Sequence, residues 1–308
     1  IVVRDGRLYV VAFESNNQTQ LSGCLPGNID GSTCTFDAIE HVFNNNNVLS
    51  LNYDADIVRN PSLPDRDLFV FDTADDRLLH TVNNVGTLLY GIDVDSDGRV
   101  FVAQTEARND ANGRAGTQKE GLAEMQNRAF LNQITRVDCG DNCESPVRLD
   151  LEPLPPQHPA LNEALATPFA IRVSADDQVI VATAASSNRL FTMDPNTGAV
   201  LDRLSVGAVP RGVALRSNSQ GALDQVWVLN TVSNSISVVN ARHPSNLQLI
   251  RDITLDNPTH PDVLAGRLAF NDANASTTGT FSCESCHVDG HTDQLIWVLD
   301  TPVCDIDG

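Results

Sequence analysis

The strongest constraint in this sequence is a short apolar run that returns four times. Val100-Phe101-Val102-Ala103, Val179-Ile180-Val181-Ala182 and Val226-Trp227-Val228-Leu229 share one pattern, and Leu8-Tyr9-Val10-Val11 matches it. Short runs of β-branched and aromatic residues suit a buried strand better than a helix. Seven or eight residues into each run comes a small polar turn: Ser15-Asn16, Arg108-Asn109, Ser187-Asn188 and Ser233-Asn234. A second strand is expected after each turn, at Leu68–Asp72, Ile134–Asp138, Leu190–Asp194 and Ile236–Asn240. A third is expected at Gly91–Val94, Phe169–Ile171 and Gly212–Ala214, with polar hairpins such as Ser96-Asp97-Gly98 leading into the next unit.

The first strands of successive units lie 92, 79 and 47 residues apart. A blade of four antiparallel strands takes about 40–50 residues. The shortest spacing is therefore one plain blade, and the longer two are blades with insertions. The expected fold is mainly β: a β-propeller of about four or more blades over residues 1–257, with insertions at about 22–64 and 106–165. A generic β-sandwich is the alternative for the same strands. Composition changes after Pro258, where Val263, Leu264, Leu268 and Phe270 take helical spacing. Residues 258–308 are expected to be a separate, helical segment.

That segment holds Cys283-Glu-Ser-Cys286-His287. Cys-x-x-Cys-His is the attachment signature of a c-type haem. Two thiols spaced by two residues on a helical turn can form thioethers to the two vinyl groups on one porphyrin edge. The imidazole that follows then falls beneath the iron as proximal ligand. A disulfide followed by a chance histidine is one alternative. A zinc site built from Cys283, Cys286, His287 and His291 is another. Heme c, one group held covalently, is the expected cofactor.

The distal ligand is open. If the helix runs on past His287, His291 lies one turn further along the same face, roughly 6 Å away. Axial ligands approach opposite faces of one iron, so His291 suits another haem, a propionate or the surface better than the same iron. His260, just before the haem segment, and Met125, in a polar insertion, are the other candidates; Met193 fits a propeller strand. Trp297, ten residues after the proximal histidine, is expected to pack on the porphyrin.

Asp93-x-Asp95-x-Asp97-Gly98 opens like a Ca2+ loop. Its ninth and twelfth positions are Phe101 and Gln104, so an EF-hand fails, and an ordinary Asp-Gly hairpin explains the same residues. Asn17-Gln-Thr and Asn274-Ala-Ser fit the glycosylation pattern by chance.

Charge bounds the partners. The chain carries 40 acidic and 20 basic residues, a formal charge of −20. Nucleic acid is excluded as a partner, because phosphate binding needs a basic face. No run approaches 18 apolar residues, which excludes a membrane-spanning helix. A basic or cation-bridged redox partner protein suits such a surface. Cys24 with Cys34, and Cys139 with Cys143, read as two disulfides, which implies a periplasmic or extracellular location. Cys304 is left over, and its partner is expected outside this sequence.

The repeat units resemble the YVTN/NHL-like propeller repeats of bacterial surface and periplasmic proteins over about residues 7–256. Gly266-Arg267-Leu268-Ala269-Phe270-Asn271-Asp272, then Gly279-Thr280-Phe281-Ser282 and the cysteine motif, resemble the bacterial dihaem cytochrome c peroxidase/MauG family. Its first haem domain typically reads Gly-x-x-Leu-Phe-Phe-Asp, a short loop, then Ser-Cys-x-x-Cys-His; Ala269 and Asn271 depart from that pattern. Propeller-fused members also resemble this chain from Asp289-Gly290-His291-Thr292-Asp293 through Trp297.

The resemblance implies that residues 258–308 begin a cytochrome c domain and that Trp297 relays electrons between haems. It also implies a peroxidase-like oxidoreductase, in which one haem stores an electron and a second cleaves the O–O bond. This sequence carries one haem motif, so a second haem domain is expected beyond it. The expected function is electron transfer by an exported c-type cytochrome. The rival is a propeller binding or assembly module, a homo-oligomer or extracellular cytochrome array with the haem as relay.

Overall fold

The computed structural model describes residues 1–14, 17–21, 56–114, 117 and 121–299. It divides into two compact units. One comprises residues 1–15, 66–107 and 130–293; the other comprises 16–65, 108–129 and 294–308.

The first unit contains four antiparallel four-stranded sheets, the blades of a β-propeller. Blade 1 uses β1 (Val2–Arg4) and β2 (Arg7–Val11). The chain then leaves for the second unit, where β3 (Thr19–Leu21) pairs with β4 (Ile57–Arg59). It returns with β5 (Leu68–Asp72) and β6 (Leu78–Val82) to complete the blade in the order β1-β2-β5-β6. Blade 2 is β7 (Leu88–Val94), β8 (Arg99–Ala107), β9 (Phe130–Asp138) and β10 (Val147–Asp150). Blade 3 is β11 (Pro168–Val173), β12 (Ile180–Ala184), β13 (Arg189–Met193) and β14 (Val200–Ser205). Blade 4 is β15 (Pro210–Ser217), β16 (Leu223–Asn230), β17 (Ser235–Asn240) and β18 (Gln248–Thr254).

The strands expected to close each unit are instead the first strands of the next blade. β1, β7, β11 and β15 pack beside one another in chain order. Gly91 shows how closely: a Cβ there would lie 2.2 Å from the Phe169 carbonyl oxygen on β11. The turns behave as their residues dictate. Gly98, Asn188 and Asn234 take positive φ, the conformation that Gly and Asn tolerate best. Ser15 and Asn16 lie outside the described residues.

Alternation along the strands sends side chains to two faces, and three apolar clusters fill the spaces between blades. Tyr9 and Val70 of blade 1 meet Val100 and Val102 of blade 2. Phe101 and Ala103 of blade 2 meet Ile180 and Ala182 of blade 3. Val179 and Val181 of blade 3 meet Val226 and Val228 of blade 4. Each middle blade is therefore apolar on both faces, which is why its strands read as unbroken apolar runs. The faces also place Ile180, not Val179, in the position of Val100 and Val226. A one-residue offset of this kind is invisible in an unbroken apolar run, because both parities look alike.

In the second unit, Asn109 donates to the Thr19 hydroxyl (2.9 Å) and the Ile296 carbonyl (3.0 Å). Asn112 bridges the carbonyls of Gly121 (2.7 Å) and Val298 (3.0 Å). Cys24, Cys34 and Cys304 lie outside the described residues. Cys139 and Cys143 form a disulfide in the first unit.

After the last blade comes a short helical end. Helix α1 (Pro261–Asn271) has His260 as its N-cap and Pro261 in its first turn. The helix is there, but its apolar stripe is not buried: Val263 and Leu268 are 51% and 40% exposed. A single helical turn, α2 (Cys283–Cys286), carries the motif. Residues 258–293 belong to the same compact unit as the blades, while 294–308 group with the insertions. No helix among the described residues is long and apolar enough to cross a membrane.

Candidate functional site

Cys283 and Cys286 are free thiols at the two ends of α2. The turn forms because Ser282 and Ser285 cap each other: the Ser282 side chain accepts from the Ser285 backbone, and the Ser285 hydroxyl accepts from the Ser282 N–H at 3.0 Å. Helical geometry ends at Cys286. His287 leaves the helical region, and Asp289 and Gly290 take φ of 51° and 82°. His291 therefore does not follow His287 along a helical face. Its contribution is its backbone: the His291 carbonyl oxygen lies 3.0 Å from His287 Nδ1. A histidine donating from Nδ1 to a carbonyl keeps Nε2 unprotonated and fixes its ring, the usual support of a metal-ligating imidazole.

Propeller loops and strands hold this turn in place. The Ser186 hydroxyl meets that of Ser282 at 3.1 Å, and the Thr167 hydroxyl meets that of Ser285 at 3.4 Å. Asn132 donates to the Thr280 carbonyl at 3.0 Å. Arg211 ion-pairs with Glu284, which is 1% exposed, and with Asp289. Burial pushes the Glu284 carboxyl up to about 7 despite the opposing Arg211 charge. Burial first, then Asp293 and Cys283, pushes the Cys286 thiol up to about 12.

The first strands of three blades add a second feature. Their pairing slips between Leu89 and Gly91, between Pro168 and Ile171, and between Pro210 and Gly212. A bulge re-aims the side chain it carries. Here the re-aimed residues include Tyr90, Phe169 and Arg211. The Tyr90 and Phe169 rings are 5.2 Å apart, and the Arg211 guanidinium lies 4.8 Å from the Phe169 centroid. Phe13 meets Tyr90 edge-on at 5.5 Å. The stack ends at Glu284, between the two cysteines. A cavity of about 410 Å³ adjoins it, lined by Val209, Val232, Arg267, Phe270 and Asn271 among others.

The remaining candidates are placed elsewhere. His260 caps α1, accepting from the Asp262 N–H at 3.3 Å. Met125, expected in a polar and accessible insertion, is instead fully buried in the second unit, with its carbonyl bound by Arg108. Met193 is buried in the core between blades 2 and 3. Trp297 belongs to the second unit. Asp95 accepts from the N–H groups of Asp97 (3.0 Å) and Arg99 (2.9 Å) and pairs with the Arg99 guanidinium. Asp93 accepts from the Val173 N–H at 2.8 Å, and burial pushes its carboxyl up. Asp93 and Asp95 thus turn to different partners. Among the described residues no three His, Cys, Asp or Glu side chains converge on a metal position.

Sequence reasoning missed Arg211, Phe169, Thr167 and Ser186. Their signal is faint: Thr167-Pro168 and Val209-Pro210-Arg211-Gly212 open first strands, and Thr167 and Val209 both take positive φ. A β-branched residue in that conformation is costly and tends to mark a functional or constrained position.

No protein-family model and no curated protein matches the chain. Similar solved structures include Kuenenia stuttgartiensis hydrazine synthase, at 14% identity and a TM-score of 0.44, covering 60% of this chain and 55% of that one. A functionally unknown protein from Desulfotomaculum acetoxidans gives 14% and 0.41, covering 68% and 56%. Virginiamycin B lyase from Staphylococcus aureus gives 17% and 0.34, covering 56% and 42%. The chain spans about half the length of these structures. Likeness at this level carries no argument about site residues.

Proposed function

We propose that the chain is an exported c-type cytochrome with one heme c, held covalently by Cys283 and Cys286 and ligated at the iron by His287. The observation that carries this reading is local: two free thiols bracket one helical turn, and the next residue is a histidine whose Nδ1 faces a backbone carbonyl. The donor set fits the group. The haem iron supplies reversible one-electron chemistry when bound.

The chain's own residues do the rest. Ser282 and Ser285 hold the two thiols on one turn. The His291 carbonyl leaves His287 Nε2 free to ligate. Val209, Val232 and Phe270 offer an apolar wall, and Arg267 a cation for a propionate. Val263 and Leu268, exposed on α1, would gain cover. The Cys139–Cys143 disulfide supports a periplasmic or extracellular location. Electron transfer would run to a redox partner protein or to a second haem domain of a dihaem peroxidase/MauG-like protein, and peroxidase chemistry would need that second haem.

The test is expression with a c-type maturation system, read by pyridine haemochrome spectrum and intact mass. The expected result is a mass gain of one haem, lost in the Cys283→Ser/Cys286→Ser variant. An unshifted wild-type mass would end the cytochrome reading.

A further inference from the structure

The cavity of about 410 Å³ beside the motif is separate from the haem-attachment atoms, for none of Cys283, Cys286 and His287 lines it. Three segments of the first unit wall it: the start of blade 4 with the loop after β16, helix α1, and the segment that carries the motif. Its volume is in the range of small-molecule sites.

Polar atoms on its lining residues are idle. Arg211 Nε, Asn271 Oδ1 and Glu284 Oε2 are buried and make no hydrogen bond. The rest of each group is engaged. The Asn271 amide donates to the Arg267 carbonyl at 2.9 Å, so its idle atom is an acceptor. The terminal nitrogens of Arg211 go to Glu284 and Asp289, which leaves Nε as an idle donor. Buried polar groups nearly always find a partner. Two idle acceptors and one idle donor on residues of a single cavity point to a partner from outside the chain.

Charge narrows that partner. Glu284 and Asp289 share one cation, Arg211, so the motif side carries a net negative charge when both are ionised. Arg267, on helix α1, is exposed and pairs with no carboxylate among the described residues. Val209, Val232 and Phe270 supply the apolar lining. A simple carboxylate leaves both idle acceptors unmet, and a simple amine leaves Arg267 unmet. A zwitterion on an apolar body meets all of them with charge-assisted hydrogen bonds.

We propose that this cavity binds a free α-amino acid with an apolar side chain. The ammonium group donates to Glu284 and Asn271, and the carboxylate accepts from Arg267 and Arg211 Nε. The side chain packs on Val209, Val232 and Phe270. This goes beyond the haem reading and does not depend on it. A haem propionate at Arg267 would compete for the same cation, so the test uses the chain without haem.

The experiment is calorimetric titration of the full chain, expressed without haem maturation, at pH 8. The probes are leucine, 4-methylpentanoate, which lacks the ammonium group, and isopentylamine, which lacks the carboxylate. Leucine is expected to bind, and each analogue to bind at least about tenfold more weakly. Arg267→Gln should weaken leucine about tenfold and leave isopentylamine unaffected, with the circular dichroism spectrum of the parent. Glu284→Gln should weaken leucine and isopentylamine but not 4-methylpentanoate. No heat from leucine at millimolar concentration would overturn the proposal. So would equal binding of the three probes, which apolar contact alone explains, or a leucine affinity that Arg267→Gln leaves unchanged.

Discussion

Arg211, on the first strand of blade 4, ion-pairs with Glu284, the residue that follows the first cysteine of the motif. The pair joins residues 73 apart in sequence, and Glu284 is almost fully buried. Burial is the larger influence on Glu284, so its carboxyl titrates near 7 rather than near 4.5. Between those values the folded chain binds more protons than the unfolded one, so stability falls as pH rises from about 4.5 to about 7. The cost above pH 7 is on the order of 3 kcal/mol. Glu284→Gln should flatten this part of the profile, as read by thermal unfolding at pH 4.5 to 8. An identical slope in parent and variant would contradict it.

Removing only the cation is worse. Arg211→Ala leaves a buried carboxylate without its partner and uncovers Phe169, which should cost about 3–5 kcal/mol at pH 8. Adding Glu284→Gln to Arg211→Ala should recover most of that loss, because the uncompensated charge is gone. Urea midpoints of the four proteins of this cycle decide it; simple additivity would show that the pair is not coupled.

The inter-blade core gives a second pair of expectations. Phe101 fills the space between blades 2 and 3 with no exposed surface, and Phe101→Ala should cost about 3–5 kcal/mol. Gly91→Ala adds one methyl group, yet its Cβ would meet a backbone oxygen that cannot rotate away. It should also lower the urea midpoint clearly, since overpacking costs about 1–3 kcal/mol. A neutral Gly91→Ala would mean that β7 and β11 do not approach as closely as described.

Much of this fold is legible because a blade buries the same strand each time. Val100-Phe101-Val102-Ala103 and Val226-Trp227-Val228-Leu229 announce themselves as second strands of blades. Cys283, Cys286 and His287 stand out in the sequence by their spacing, and the structure sets the two thiols at the ends of one helical turn with His287 directly after it. Hydrophobic pattern shows strands but not which blade owns them, so it groups Gly91–Val94, Phe169–Ile171 and Gly212–Ala214 with the preceding unit, whereas each belongs to the first strand of the next blade. Arg211, Phe169 and Thr167 stayed hidden because they depend on bulges and long-range contacts that no local pattern encodes. Met125 misled because its neighbours are polar, while backbone hydrogen bonds in its turn let the thioether be buried.

The Cys139–Cys143 disulfide closes a very short loop, with a sequence separation of 4. The chain-entropy relation gives about 2 kcal/mol for a ring of this size. A Cys139→Ser/Cys143→Ser variant should therefore lose about that much and still fold. Denaturant midpoints with and without the substitutions check this; loss of folding would mean that the bridge does more than restrict the unfolded chain.

His287 and His291 look alike in sequence but do different things. The His287 ring is the ligand candidate, and the His291 contribution is a carbonyl that any residue supplies. With the proposed heme c in place, His291→Ala should therefore keep covalent loading and leave the Soret band and reduction potential close to the parent values. His287→Ala should keep both thioethers yet lose the nitrogen ligand, shifting the Soret band and the potential. His291→Pro is the sharper variant. It removes the His291 N–H that donates to Val288 at 2.9 Å, loosening the turn that presents the carbonyl to His287 Nδ1. A potential that rises in His291→Pro but not in His291→Ala would follow, because a less firmly hydrogen-bonded imidazole is a weaker donor to ferric iron. If His291→Ala alone altered the spectrum as much as His287→Ala, the His291 ring would be a ligand and the carbonyl assignment would fail.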